Sequence, residues 1–163
     1  MTVADAAALD AFRAEVRAFI AERAPRFPIR AGVRSPEDLE QQQELRRWTA
    51  ELFRAGYVGA DWPVEHGGVA DHDPRRSDVV AEELARAHAP GPVSGNVLAA
   101  RALIAFGSAE QQATHLPLMR TGDEIWCQLF SEPGAGSDLA SLRTKAERDG
   151  EGPHADYVVN GQK

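Results

Sequence analysis

The stretch Trp126–Ala146, WCQLFSEPGAGSDLASLRTKA, holds the change of pattern that decides the fold. Together with Ile125, its apolar residues Trp126, Cys127, Leu129 and Phe130 read as a buried strand. Pro133 has no N–H to give to a ladder and ends the run. Gly134-Ala135-Gly136 comes next; glycine permits positive φ and lets another molecule approach the backbone. Ser137 or Asp138 is a fitting cap for one short turn spanning Leu139–Leu142. Strand, glycine bend and capped turn in that order expose a row of backbone N–H groups, which suits a phosphate. A plain turn is the competing reading of the same residues. The chain has neither a G-x-G-x-x-G string nor a Gly-Lys-Ser/Thr string, so a dinucleotide fingerprint and a P-loop are excluded.

On the C-terminal side, Arg143–Arg148 alternates and Tyr157-Val158-Val159 is β-prone, predicting two further strands around a turn at 149–153. Asn160-Gly161 is a hairpin signal, and with only Gln162-Lys163 after it the sheet is expected to be unfinished. On the N-terminal side the period is helical. Leu9, Phe12, Val16, Phe19 and Ile20 form one stripe over residues 5–23, ended by Pro25 and Pro28. Ser35-Pro36-Glu37-Asp38 starts a second helix, to about Arg54, burying Leu45, Trp48, Leu52 and Phe53 and stopping at Gly56. The loop 57–72 has no period. Its His66 is open to a functional reading, although a lone loop histidine is usually a surface or turn residue.

Asp73-Pro74 opens a third helix, to about Ala89, with Val79, Val80, Leu84 and Ala87 inward; Pro90-Gly91-Pro92 breaks it. A fourth, about Val93 to Phe106, is nearly all small or apolar and is expected to lie deep. Ser108 and Gln111 have capping-box spacing for a fifth, about Ala109 to Arg120, with Leu116, Leu118 and Met119 as its apolar residues.

The 163 residues suffice for one domain, or one and part of another. With 25 acidic against 18 basic side chains, the net charge of −7 argues against nucleic acid as the main partner. A phosphate site must therefore work through local backbone donors. The lone Cys127 excludes an internal disulfide and is expected to be a buried strand residue in a reducing compartment. No segment has the apolar length of a membrane span, and the acidic N-terminus is no secretory signal. The expected location is cytoplasmic.

Taken together, these residues resemble the N-terminal part of the flavin-dependent acyl-CoA dehydrogenases. The matching strings are Trp62-Pro-Val-Glu-His-Gly-Gly68, Gly107-Ser-Ala-Glu-Gln111, Leu116-Pro-Leu118, Ser131-Glu-Pro-Gly-Ala-Gly-Ser-Asp138 and Tyr157-Val-Val-Asn-Gly-Gln-Lys163. They stand in the family's order and at about its spacing over nearly the whole chain. The resemblance implies a mainly α fold here. Residues 1–122 would be an N-terminal domain of about five helices, and 123–163 the first strands of a β-barrel-like middle domain. The family's C-terminal four-helix bundle would be missing, so the chain is expected to be a truncated piece.

The resemblance also implies FAD as cofactor. Gln128, Leu129 and Phe130 would lie along the flavin ring, and the Ser131 hydroxyl, where many relatives carry Thr, would bond its pyrimidine side. Gly136 and Ser137 would hold the pyrophosphate. Ser137 would also lie near the acyl-CoA thioester arm, while Val97 and Leu98 would wall the acyl tail. The implied reaction is α,β-dehydrogenation of an acyl-CoA: a glutamate takes the α proton and the β hydrogen leaves as hydride to the flavin. Electrons would then pass to an electron-transfer flavoprotein. None of Glu65, Glu82, Glu83 and Glu132 matches the position of that glutamate, so no catalytic residue is assigned and the chain alone is expected to be inactive. The full-length protein would be a homo-oligomer (a tetramer) or a heteromer. Two other readings stay open: a non-catalytic subunit or interaction module of a split enzyme, and an acyl-CoA oxidase.

Overall fold

The computed structural model describes residues 3–26, 38–92, 94–153 and 155–163. By contact, the chain divides into two compact units, Met1–Cys127 and Gln128–Lys163. The first holds α1 (Val3–Arg23), α2 (Leu39–Arg54), α3 (Pro74–Arg86), α4 (Ser94–Phe106) and α5 (Ala109–Thr121), with a 3-10 turn at Val64–His66. The second holds a 3-10 turn at Leu139–Ser141 and the antiparallel ribbon of β1 (Lys145–Asp149) and β2 (Asp156–Asn160). Register runs from Lys145 opposite Asn160 to Asp149 opposite Asp156. The mainly helical fold class with the opening of a strand region stands as expected. Among the described residues no helix is long and apolar enough to cross a membrane.

Two cores organise the helical unit, and α2 serves both because adjacent residues on a helix point some 100° apart. Leu52 joins Val16 and Ile20 of α1, Trp48, Tyr57, and Val80 and Leu84 of α3. Its neighbour Phe53 joins Trp62, Ala100 of α4, and Leu116 and Met119 of α5. Phe19 sits 5.6 Å from Trp48 and 5.0 Å from Tyr57 between ring centroids, and the Trp48 indole donates to the Pro90 carbonyl at 2.8 Å. That bond ties the proline-rich loop after α3 onto α2.

Several expectations are corrected. Ser35, Pro36 and Glu37 lie outside the described residues, as do Pro28 and Val93. The cap of α2 is Asp38, whose carboxylate accepts from the Gln41 amide at 3.0 Å. Helix α3 stops at Arg86 rather than near Ala89, leaving Ala87 exposed. There His88 takes φ 52°, and the Ala89 amide reaches back to the Leu84 carbonyl, a helix-ending reversal. The capping box on α5 forms with both of its bonds.

Helix α4 does not lie deep. Among its residues with described burial, Asn96 and Ala100 alone are buried, while Leu98 is 45 % and Phe106 90 % exposed. Its main helical neighbour is α5, with Ala100 also reaching Phe53 of α2, so one face is covered and its apolar composition outruns the partners available. Nor do residues 125–130 form a buried strand. They carry no ladder, and Ile125, Cys127, Leu129 and Phe130 are exposed. An apolar run becomes a strand only where another strand supplies its hydrogen bonds, and here a side chain does so instead.

Candidate functional site

The predicted loop is built around Glu132. Its amide donates to the Ala135 carbonyl at 2.9 Å and the Ala135 amide returns the bond at 3.0 Å, closing a tight turn over Pro133-Gly134. The Glu132 carboxylate accepts from the amides of Arg143 and Thr144, both at 2.8 Å, and pairs with Lys163 Nζ at 3.1 Å. Lys163 also donates to the Phe130 carbonyl at 3.1 Å. Thr144, then the Arg143 and Thr144 amides, and finally Lys163 hold the carboxyl down at about 2. The string at 131–138 and the string ending in Lys163 therefore belong to one hydrogen-bonded object.

The amides of Gly134, Gly136 and Ser137 donate to no acceptor among the described residues. Gly136 and Ser137 are exposed, and nothing stands within 4 Å of where a side chain on Gly134 or Gly136 would begin. Free donors with open space before them are what an anionic group requires. Two details differ from expectation. Neither glycine uses positive φ, so their contribution is the missing side chain alone. The turn Leu139–Ser141 follows Asp138 without a side-chain cap bond. Gln128, Leu129, Phe130 and Ser131 are exposed on the same stretch of chain. Val97, half-buried, and Leu98, exposed, lie on α4 in the helical unit.

Just upstream, Asn96 in the first turn of α4 is 4 % exposed. Its Nδ2 donates to the Glu124 carbonyl at 2.9 Å, and the Trp126 amide donates to its Oδ1 at 2.8 Å. The two bonds flank Ile125 as a parallel neighbour strand would, so one side-chain amide replaces a ladder. The Trp126 N–H must meet an oxygen, which fixes the orientation of the amide. The Glu124 carboxylate accepts from the Trp126 indole at 2.8 Å and from His115 Nδ1 at 3.0 Å; the indole first, then His115, holds it below the usual carboxylate range. Neither Asn96 nor Glu124 was flagged by sequence reasoning. The available signal was Gly95-Asn96, a helix-weakening residue and a polar one opening an otherwise apolar helix.

The Trp62–Gly68 string forms a structural corner. His66 Nε2 meets Gln112 Oε1 at 2.9 Å. The Gln112 amide nitrogen is already committed to the Leu103 and Gly107 carbonyls, so the histidine nitrogen is the donor. Arg120 Nη1 donates to the His66 carbonyl at 3.3 Å, and a side chain on Gly67, at φ 90°, would fall 1.7 Å from that nitrogen. The same addition at Gly68 would fall 1.6 Å from the Trp62 carbonyl oxygen. Both glycines exist for close approach, and His66 is occupied in holding the corner.

Elsewhere in the helical unit Glu83, with its side chain 2 % exposed, binds Arg17 through two nitrogens at 2.9 and 3.0 Å, Arg86 at 2.7 Å and Arg13 at 3.2 Å. Arg17 above all, then Arg86 and Arg13, keep this carboxyl far below its ordinary range. A cavity of about 470 Å³ lies among Phe12, Glu15, Tyr57, His72, Arg76 and Val80 and contains none of the expected site residues. Tyr57 donates to Glu15 there at 2.9 Å, and burial, then Glu15, raises its phenol well above the usual value. No group of three or more metal-binding side chains converges among the described residues.

Comparison with known proteins agrees with this architecture. Residues 7–123 match the family described as "Acyl-CoA dehydrogenase, N-terminal domain". The chain is 43 % identical over 159 residues to acyl-CoA dehydrogenase IpdE1 of Mycobacterium tuberculosis, covering 95 % of this chain and 40 % of that protein. It superimposes on the Tcur3481-Tcur3483 steroid ACAD with TM-score 0.73 at 33 % identity, covering 95 % of this chain and 38 % of that one. It also matches an acyl-CoA dehydrogenase of Bacillus anthracis complexed with FAD, with TM-score 0.58 at 26 % identity, over 94 % of this chain and 25 % of that one. The chain thus spans about two fifths of the length of IpdE1. By the match of its helical unit to the family's N-terminal domain, the chain belongs to the acyl-CoA dehydrogenase family.

Proposed function

We propose that this chain supplies the helical domain and the flavin-facing loop of a protein that α,β-dehydrogenates acyl-CoA thioesters with FAD. Residues 1–122 form that helical domain in this reading, and 123–163 open the middle β domain. The single observation that carries the reading is the set of unpaired amides at Gly134, Gly136 and Ser137 on a loop fixed by Glu132. The FAD complex of the Bacillus anthracis neighbour supports the choice of anion. Bound there, FAD supplies the hydride acceptor. The amides of Gly136 and Ser137 hold its diphosphate, Ser131 offers a hydroxyl to the pyrimidine edge, and Gln128, Leu129 and Phe130 line the ring and shed water from it. Ser137 lies beside the thioester arm, and Val97 and Leu98 border the acyl tail.

The proton-abstracting carboxylate comes from outside these residues. The buried carboxylate Glu83 is consumed by three arginines, and Glu132 by two amides and a lysine. The chain alone therefore turns over no acyl-CoA, and the reduced full-length protein passes its electrons to an electron-transfer flavoprotein. The steroid ACAD neighbour makes steroid-derived acyl-CoA thioesters the first substrates to try. Full-length protein purified with FAD and mixed anaerobically with such a thioester is expected to lose flavin absorbance. An unbleached flavin across steroid and straight-chain acyl-CoAs would refute the reading, and peroxide formed in air would identify an oxidase instead. The neighbour's paired name also favours a two-polypeptide assembly; a native mass equal to a multiple of one polypeptide would exclude it.

A further inference from the structure

We propose that Lys163 is a positioning residue: its ammonium, seated on Glu132, fixes the Phe130–Ser131 peptide, so that the Ser131 amide and hydroxyl meet the flavin in one set geometry. The lysine itself does not touch the ring. The role rests on the flavin reading above, and every residue in it lies within the unit Gln128–Lys163. Lys163 Nζ stands 3.1 Å from the Phe130 carbonyl oxygen and 3.1 Å from Glu132 Oε1. The pair is sheltered, with the lysine side chain 22 % and the glutamate side chain 8 % exposed. Glu132 keeps its place without the lysine, because the Arg143 and Thr144 amides hold its carboxylate at 2.8 Å. The Phe130 carbonyl does not, because among the described residues no other donor reaches it. Lys163 arrives at this point because Gly161 runs tightly past Thr144; a side chain on Gly161 would strike the threonine.

The two backbone ties fall on either side of Ser131. Lys163 holds the peptide that precedes it, and the bond from the Glu132 amide to the Ala135 carbonyl holds the peptide that follows. Both soft dihedrals of Ser131 are thereby set from their outer ends. In a trans peptide the N–H points opposite to the C=O. The Ser131 amide, which donates to no acceptor among the described residues, is therefore turned away from the lysine on an exposed residue. A donor aimed in advance binds its acceptor without the cost of ordering it.

Two variants of the full-length protein test the role. Lys163→Met keeps the apolar stem and removes the donors. Lys163→Arg keeps the charge and a fork of donors for both oxygens. FAD dissociation constants and flavin reduction potentials are measured for each. Hydrogen exchange at the Arg143 and Thr144 amides reports whether the Glu132 loop persists. Labelling phenylalanine at its carbonyl carbon and serine at its nitrogen selects the Phe130–Ser131 peptide by nuclear magnetic resonance before FAD is added. Lys163→Met is expected to shift that peptide's signal while leaving the two amides protected, to weaken FAD about tenfold and to change the potential. Lys163→Arg should restore the potential and hold FAD within about threefold of wild type. Wild-type affinity and potential in Lys163→Met would overturn the proposal. So would an arginine variant as weak as the methionine one, or FAD loss in Lys163→Met accompanied by faster exchange at Arg143 and Thr144, which would make the lysine a support for the whole loop. Wild-type protein that takes up no FAD would instead overturn the flavin reading itself.

Discussion

Replacing Glu83 with glutamine changes one oxygen to an amide nitrogen in a nearly isosteric side chain. In the wild type, four N–H···O contacts of 2.7–3.2 Å converge on the carboxylate from Arg13, Arg17 and Arg86. A hydrogen bond to a charged group contributes about 1.5–3 kcal/mol when buried. The carboxylate is buried, but the arginine side chains are 33 %, 51 % and 54 % exposed, so water takes back part of that sum. Glutamine also points N–H donors at guanidinium donors. The expected loss is about 2–4 kcal/mol, seen as a fall in Tm of roughly 8–15 °C for a helical unit of this size.

A second arm of the experiment uses pH. The folded carboxyl is depressed below its ordinary value of 4.5. Its contribution is thus fully present above that value and is withdrawn as pH falls beneath it. Thermal and urea unfolding followed by helical circular dichroism should show a constant gap between Glu83→Gln and wild type from about pH 6 to 9, narrowing toward about pH 3. Arg86→Gln should cost only about 1 kcal/mol, because Arg13 and Arg17 still hold the charge. A Glu83→Gln gap under about 0.5 kcal/mol at neutral pH, or one that does not move with acid, would refute the reasoning.

Gly68→Ala and Gly67→Ala should each destabilise the corner before α3 by about 2–4 kcal/mol, the first because its methyl would meet the Trp62 backbone and the second because Gly67 holds φ 90° beside Arg120; urea midpoints measure both. Glu132→Gln should speed hydrogen exchange at the Arg143 and Thr144 amides while leaving the helical unit's melting unchanged. In the wild type the same amides should stay protected above the ordinary carboxyl value of 4.5 and lose protection as pH falls toward about 2. Ser108→Ala removes the capping box of α5 and should cost about 1 kcal/mol in denaturant titrations.

Much of the helical unit is legible from spacing. The stripe through Val16 and Ile20, the cap at Ser108 and the inward faces at Trp48, Val80 and Leu84 all follow from which residues recur at three- and four-residue steps. The same logic misjudged α4 and residues 125–130. Periodicity and hydropathy report what a segment is able to bury, not whether a partner lies against it. Helix α4 is apolar nearly throughout yet covered on one side, and Leu129 and Phe130 are apolar yet exposed. Nothing in the local sequence separates Glu83 from its neighbour Glu82, because only the packing of α1 on α3 brings Arg13 and Arg17 to it.

The string Ser131–Asp138 by itself fixed the tight turn at Pro133-Gly134 and the free donors beyond it, because a two-residue corner without bulky side chains follows from local covalent geometry. Tertiary structure alone decided what holds that corner and its approach in place. Glu132 meets residues 11, 12 and 31 positions along the chain, and Asn96 meets Trp126 from 30 positions away. Hydrogen bonds across such separations leave no periodic trace in a sequence; they exist only once the helices have packed and the chain has folded back on itself.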